Sequence, residues 1–234
     1  MCSRFSQCEN LKTIHKQCNV YECHIDEKPR YNIAPSHHAQ IVLNDGAIKS
    51  LMLRWGLVPS WAVDEKIANH LINARAESLN EKPAFKNLLK KQRCLIPADG
   101  FYEWQKTGRY KQPLRFLMKD DSPFAFAGLW DKWTSPDGST LYTFTIITTP
   151  PNNLIKPIHN RMPAIMPPED YLKWLDPEIS SIHLLKSILK PFPTEKMRYY
   201  KVSPMVNNPN YNSPDCIKPS NPPEQTELHL PNFN

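Results

Sequence analysis

Apolar and polar residues alternate along much of the chain, and short turns punctuate the alternation. In AQIVLNDGAIKSLMLRW (39–55), two apolar runs flank Asn44-Asp45-Gly46, the pattern of a β-hairpin with a tight turn. PLRFLMKDDSPFAFAGLW (113–130) reads as two further strands paired across Asp120-Asp121-Ser122. DKWTSPDGSTLYTFTIITT (131–149) turns at Pro136-Asp137-Gly138 and enters a β-branched, aromatic run of period two. Helical periodicity is scarcer. Ser78-Leu79-Asn80-Glu81 fits a capping box, and KPAFKNLLKKQ (82–92) sets Phe85, Leu88 and Leu89 on one face. MPPEDYLKWLD (166–176) predicts a short helix with Leu172 and Leu175 inside, and another helix is expected over 180–189.

From Pro204 onward the texture changes to Asn and Pro with few large apolar residues. Such a segment buries too little to offset its ordering entropy, which predicts a mobile tail over 208–234. The economical architecture is one β-rich α+β domain over 1–207, with short helices, followed by that tail.

Composition narrows the function classes. At 234 residues and 40% hydrophobic content, the chain can bury a sizeable single core. No run approaches the roughly 20 apolar residues of a membrane helix, and Arg4, Cys8, Glu9 and Asn10 interrupt any signal-peptide core. A cytoplasmic protein with free thiols at its six cysteines is expected, with no membrane partner. Only 6 glycines stand against 24 prolines, and neither a P-loop nor a dinucleotide fingerprint is present, so no cofactor is assigned. A net charge of +6 inclines the chain toward polyanions.

Three chemistries compete on the residues alone. Cys8, His15, Cys18, Cys23 and His24 suit zinc by donor type. Structural zinc sites usually carry two close cysteine pairs, however, and only Cys18 and Cys23 come near one, so no metal is assigned. Cys2 or Cys94 with His159, oriented by Asn73 or Glu103, would make a thiol–imidazole pair. Any chain with six Cys and eight His offers such sets. Glu103 is a lone carboxylate among Phe101, Tyr102 and Trp104, where burial would raise its pKa toward a general acid's range; an outward-facing strand residue is the plain alternative. Trp55, Trp61 and Trp104 interleave with Arg4, Arg54, Arg75 and Arg161 as in single-strand nucleic-acid binders, against the simpler picture of core Trp and solvated Arg.

The order of several segments changes those odds. MC-RF at the start, YNIAP (31–35), RWGLVPSWA (54–62), INARAES (72–78), KPAF (82–85), RCLIPADGFYEW (93–104) and IHNRMPAIM (158–166) form a series over residues 1–175. That series strongly resembles the SRAP family, the SOS response-associated peptidases. The resemblance implies a domain with curved β-sheets forming a barrel-like core and a basic channel for single-stranded DNA. It implies shielding of abasic sites through a covalent DNA–protein crosslink, and a protein acting as a monomer. By position it makes Cys2 the reactive residue once Met1 is removed, with Asn73, Glu103 and His159 beside it. Arg4 and Arg75 match DNA-contacting arginines, Trp61 a base-stacking wedge, and Asn32 and Pro35 a segment lining the site. Ser3 departs from the glycine the family usually carries there; a serine is small enough that retained activity is expected. The family's name also leaves open a thiol or N-terminal-nucleophile peptidase, acting on other proteins or on its own Met1. A third reading is a non-covalent single-stranded DNA binder.

Overall fold

The computed structural model describes residues 2–8, 11–20, 22–23 and 28–220. Its strands in chain order are β1 (Phe5–Gln7), β2 (Glu22–Cys23), β3 (Arg30–Ile33), β4 (His38–Asn44), β5 (Ile48–Trp55), β6 (Asn73–Arg75) and β7 (Arg93–Ala98). They continue as β8 (Gly100–Thr107), β9 (Tyr110–Met118), β10 (Phe124–Thr134), β11 (Thr140–Thr149), β12 (Met162–Pro163), β13 (Ile165–Met166) and β14 (Met197–Lys201). Four short α-helices accompany them: α1 (Leu11–Gln17), α2 (Leu88–Lys91), α3 (Tyr171–Leu175) and α4 (Ile182–Ser187).

Strands β5, β4, β7, β10 and β11 run in hydrogen-bonded order, and a parallel β11–β5 pairing (Thr143 with Arg54, Phe144 with Trp55) closes them into a five-stranded barrel. The other ring pairings are antiparallel. Closure removes the exposed edges that an open five-stranded sheet would present. A second sheet, ordered β14-β9-β8-β1-β3, packs against the barrel. The α+β class and the barrel-like core are as the sequence predicts.

Aromatic rings join the two sheets. Phe5 of β1 meets Trp55 edge-on at 5.1 Å and Phe126 at 5.8 Å, while Phe101 of β8 stacks on Phe116 at 5.2 Å and reaches Phe126 at 5.9 Å. Edge and offset contacts of this kind add to the burial of large rings. Gln7 bridges backbones: its Nε2 donates to the carbonyls of Gln40 and Pro97, both at 2.8 Å, and its Oε1 accepts from the Gln40 N–H at 3.0 Å. It thereby satisfies barrel backbone groups where β4 and β7 stop pairing with each other.

Two of the expected hairpins form, with Gly46 and Gly138 at positive φ in their turns. The third does not. The strands β9 and β10 exist, but β9 pairs with β8 and β14 whereas β10 pairs with β7, β11 and β13, so Asp120–Ser122 crosses between sheets. The helix expected over 82–92 contracts to α2, preceded by successive turns in which the Lys86 N–H donates to the Lys82 carbonyl and the Leu89 N–H to the Phe85 carbonyl. Phe85, Leu88 and Leu89 are nonetheless buried. In α3, Leu175 is inside but Leu172 is 44% exposed; Tyr171 and Trp174 take the buried face.

Residues 208–220 are also packed, contrary to the expectation of a loose segment from Asn208. Cys216 is buried with Val206, Tyr102 and Val202, and Val202 bridges to Pro219. A small apolar cluster plus backbone hydrogen bonds supplies the ordering that composition alone does not suggest. The remainder of the expected tail, 221–234, lies outside the described residues.

Gly100 sits where β8 passes the Arg115 side chain, and a Cβ there would lie 2.6 Å from Arg115 Nε. Arg115 is buried and paired with Asp99 at 3.5 Å. Gly100→Ala is therefore expected to cost about 2–3 kcal/mol through overpacking and a displaced ion pair. Urea unfolding measures it, and a midpoint equal to wild type would refute the close approach.

Candidate active site

The register of β1 against β8 places the reactive groups. Phe5 pairs with Phe101 and Ser6 with Gly100, and the Tyr102 N–H donates to the Arg4 carbonyl at 3.0 Å. Extending that register by two pairs brings Glu103 opposite Ser3. Strand alternation puts Glu103 on the same inward side as Phe101, and Tyr102 and Trp104 on the other. Glu103 is 4% exposed. Of the two readings of this carboxylate, the buried one is realised.

Cys2 is fully buried, and its carbonyl accepts from Asn73 Nδ2 at 2.8 Å. Asn73 begins β6, which pairs in parallel with β11 (Asn73 with Ile146), so the barrel itself holds this amide against the first residues of the chain. Asn73 Oδ1 is buried and has no hydrogen-bond partner among the described residues. His159 follows a turn in which the His159 and Ile158 N–H groups donate to Ile155. Its Nδ1 lies 3.0 Å from the Arg161 backbone nitrogen and 3.1 Å from the Arg161 carbonyl oxygen, so the Arg161 backbone anchors the ring in either tautomer.

An open cleft of about 490 Å³ lies over these groups, lined by Ser3, Arg4, Glu103, Trp104, Lys111, His159 and Asn207. Burial sets the ionisation around it. Desolvation pushes the Glu103 carboxyl up from 4.5 to about 7. Burial, with the Glu103 charge adding to it, pushes the Cys2 thiol far above its ordinary range, so it stays protonated at neutral pH. Burial also lowers His159 below its ordinary 6.5, keeping the imidazole neutral. The site thus holds a neutral thiol, a carboxyl poised near neutrality and a neutral imidazole donor, an arrangement suited to proton transfer.

The structure brings Cys2, Asn73, Glu103, His159 and Arg4 together. Arg75, two residues beyond Asn73 on β6, is exposed on the same side of the strand. Trp61 is 60% exposed and lies outside the residues lining the cleft. Its turn is pinned by the Ser60 N–H donating to Asp131 at 2.8 Å and Trp133 Nε1 donating to the Ala62 carbonyl at 2.7 Å. Pro35, half-buried in the β3–β4 turn, is likewise not a lining residue. Asn32 is buried, its amide bonded to Arg4 and to the Tyr211 carbonyl, and it is not among the residues lining this cleft. Of the other candidates, Trp55 belongs to the core, Arg54 pairs with Glu65, and Arg161 is spent on a bidentate pair with Glu77 at 2.8 and 2.9 Å. Cys94 is buried in the barrel core, where desolvation alone keeps its thiol protonated. Among the described residues no group of three His, Cys, Asp or Glu is placed to hold a metal; His24 lies outside them.

Residue-by-residue reading missed Lys111 and Asn207. Lys111 carries no local signal, and Asn207 borders a stretch whose composition suggests a tail.

The family model for the SOS response associated peptidase, SRAP, matches residues 1–209, and the chain belongs to that family. Abasic site processing protein YoqW of Bacillus subtilis is 46% identical over 222 residues, covering 93% of this chain and 99% of that protein. Abasic site processing protein HMCES of Xenopus tropicalis is 34% identical, covering 81% of this chain and 66% of that protein. A crystal structure of a protein from Bacteroides thetaiotaomicron superposes with a TM-score of 0.83 at 30% identity, covering 94% of this chain and all of that one. No helix among the described residues is long and apolar enough to cross a membrane.

The raised Glu103 pKa has a stability consequence of definite sign. Between pH 4.5 and 7 the folded chain holds a proton that the unfolded chain has released, so stability falls as pH rises through that window. Glu103→Gln removes this penalty. The variant should gain stability relative to wild type at pH 8, by up to about 3 kcal/mol at 1.36 kcal/mol per unit, and the gap should close below pH 4.5. Thermal melts of both proteins at pH 4 and 8 measure it; a gap that does not depend on pH would contradict the buried acid.

Proposed function

We propose that this protein recognises abasic sites in single-stranded DNA and traps them covalently through Cys2 after removal of Met1. The reading is supported by the names of the relatives and by one observation above the rest: Cys2 is clasped by Asn73 beside a carboxyl whose pKa is about 7.

The chemistry follows from having two nucleophiles on adjacent carbons. The opened abasic sugar presents an aldehyde, absent from intact DNA. The Cys2 α-amine, with a reference pKa of about 8, attacks it to form a carbinolamine, and loss of one water gives an imine. The thiol S–H then adds across the C=N bond: sulfur bonds to the former aldehyde carbon, nitrogen takes the proton, and a five-membered thiazolidine closes. The second step is intramolecular and enjoys a high effective molarity. Glu103 in its acid form protonates the departing hydroxyl. The His159 imidazole hydrogen-bonds the opened sugar's hydroxyl, and Asn73 Oδ1 accepts from the Cys2 amine without adding charge. Arg4 and Arg75 grip flanking phosphates, Trp61 stacks on a neighbouring base, and initial binding is salt-sensitive. Elimination from the imine stage gives weak strand cleavage. An internal cysteine cannot do this, because its nitrogen is an amide. The protonated thiol weighs against a peptidase that needs a ready thiolate.

Denaturing gels with single-stranded oligonucleotides that carry or lack one abasic site test the reading. A heat-stable shifted band is expected only with the abasic strand, and Cys2→Ala or a retained Met1 should abolish it. A band that persists in Cys2→Ala would sink the mechanism. Glu103→Gln should slow formation on the order of 10²-fold. The wild-type rate should peak near pH 7–8, between the rising limb of the amine and the falling limb of Glu103. Glu103→Gln should lose the falling limb, and an unchanged profile would remove Glu103 from the scheme.

A further inference from the structure

Asn32 spends both ends of its carboxamide inside the protein. It is 2% exposed, and its Oδ1 accepts from Arg4 Nη1 at 2.8 Å. Its Nδ2 lies 3.2, 2.9 and 2.8 Å from the carbonyls of Val206, Asn208 and Tyr211. Arg4 Nη1 donates its second proton to the Val206 carbonyl at 2.6 Å, and Arg4 Nε donates to the Ser3 carbonyl at 3.3 Å. Nη2 is then the guanidinium nitrogen left to meet a ligand, and Arg4 lines the cleft.

The segment Asn32 holds is a wall of that cleft. A 3-10 turn at Pro204–Asn207 carries Asn207 into the lining, where its Oδ1 accepts from Trp104 Nε1 at 2.6 Å. The Arg4 guanidinium sits 5.7 Å from the centre of the Trp104 ring. Beyond it, the Tyr31 N–H donates to Asn212 Oδ1 at 2.7 Å, and Cys216 is buried against Tyr102. The strap runs past residue 209, where the match to the family model ends. One side chain therefore ties β3, Arg4 and the strap together.

We propose that Asn32 is a positioning residue: it locks Arg4 and the 204–211 strap into one rigid wall against which the phosphodiester backbone beside the lesion is held. This rests on the DNA reading above. Asn32 acts through Arg4 and the strap on strand capture, and it leaves the chemistry at Cys2 alone. An unclamped Arg4 would have to be ordered by each incoming strand, which weakens binding without slowing the trapped reaction.

The test separates capture from chemistry. Affinity is measured by fluorescence anisotropy with a single-stranded oligonucleotide carrying tetrahydrofuran, an abasic analogue with no aldehyde to trap. Crosslinking is measured in single turnovers at saturating abasic DNA. Asn32→Ala should raise Kd about tenfold while the saturating rate stays within about threefold of wild type. In an Arg4→Ala background it should cost clearly less than in wild type, since part of its effect runs through Arg4; a merely structural role would weaken both backgrounds alike. Asn32→Asp keeps an acceptor for Arg4 but loses the strap donors; its strap amides should exchange hydrogen faster and its Kd should rise. It decides the matter by the same cycle if the alanine variant does not fold cooperatively. Wild-type Kd in both Asn32 variants, or a full additional loss in the Arg4→Ala background, would overturn the proposal while the DNA reading stood. A wild-type protein that binds no such strand would overturn both.

Discussion

The insertion of β1 between β8 and β3 is the constraint on which the site depends. Chain ends ordinarily fray because few contacts oppose their entropy. Here residues 5–7 are paired on both edges, Phe5 enters the ring cluster joining sheet to barrel, and Gln7 reaches through to the backbones of β4 and β7. The strand cannot slide: a shift of one residue would turn Phe5 out of the core and Ser6 in, away from the Asp99 carboxylate it bonds at 2.6 Å. That register is what carries Cys2 to Asn73 and sets Glu103 across from Ser3.

The same insertion controls ionisation. A carboxyl near a surface cleft would ordinarily titrate near 4.5, and a thiol would be partly ionised not far above neutrality. Glu103 faces inward because β8 alternates, with Phe101 two residues before it anchored in the ring cluster. The barrel and second sheet exclude water from it, and the cost falls on the charged form. Geometry and pKa therefore have one cause. Loosening β1 would return Glu103 and Cys2 toward ordinary values together, so the ionisation of the pair is a property of packing.

Much of the strand content was visible in the chain, because period-two alternation and Asn-Asp-Gly or Pro-Asp-Gly turns are local signals. What alternation does not encode is which sheet a strand joins. The segments 110–118 and 124–134 look like one hairpin, yet they part company, because β9 has partners in β8 and β14 rather than in β10. The segment 208–220 misled for a related reason. Its few apolar residues are insufficient alone and sufficient once Tyr31, Tyr102 and Tyr200 supply the other half of the cluster. Residue chemistry offers Cys2, Asn73, Glu103 and His159 as one set among several, and only the resemblance singles them out, since nothing in their spacing announces that a strand on the barrel, a sheet strand and a loop converge. Asn32 is legible by the same route as part of the site, whereas its bonds to Arg4 and to the 204–211 strap are not. Motif position says that a residue belongs to a site, while hydrogen-bond accounting says what is left for it to do.

On the crosslinking proposal, the protonated thiol fixes the order of events. A thiolate at Cys2 would react with whatever electrophile entered the cleft, and it would be open to oxidation. Held as a thiol, it is a poor nucleophile toward a free aldehyde in a bimolecular encounter. The α-amine, whose reference pKa leaves a useful neutral fraction at about pH 7, must act first. Once the imine exists, the sulfur is tethered through Cβ and Cα to the imine nitrogen and lies within reach of the imine carbon, so proximity replaces intrinsic reactivity. Burial that would disable a thiol protease is thus compatible with trapping an aldehyde, because the weak nucleophile is asked to react only after the amine has identified the lesion.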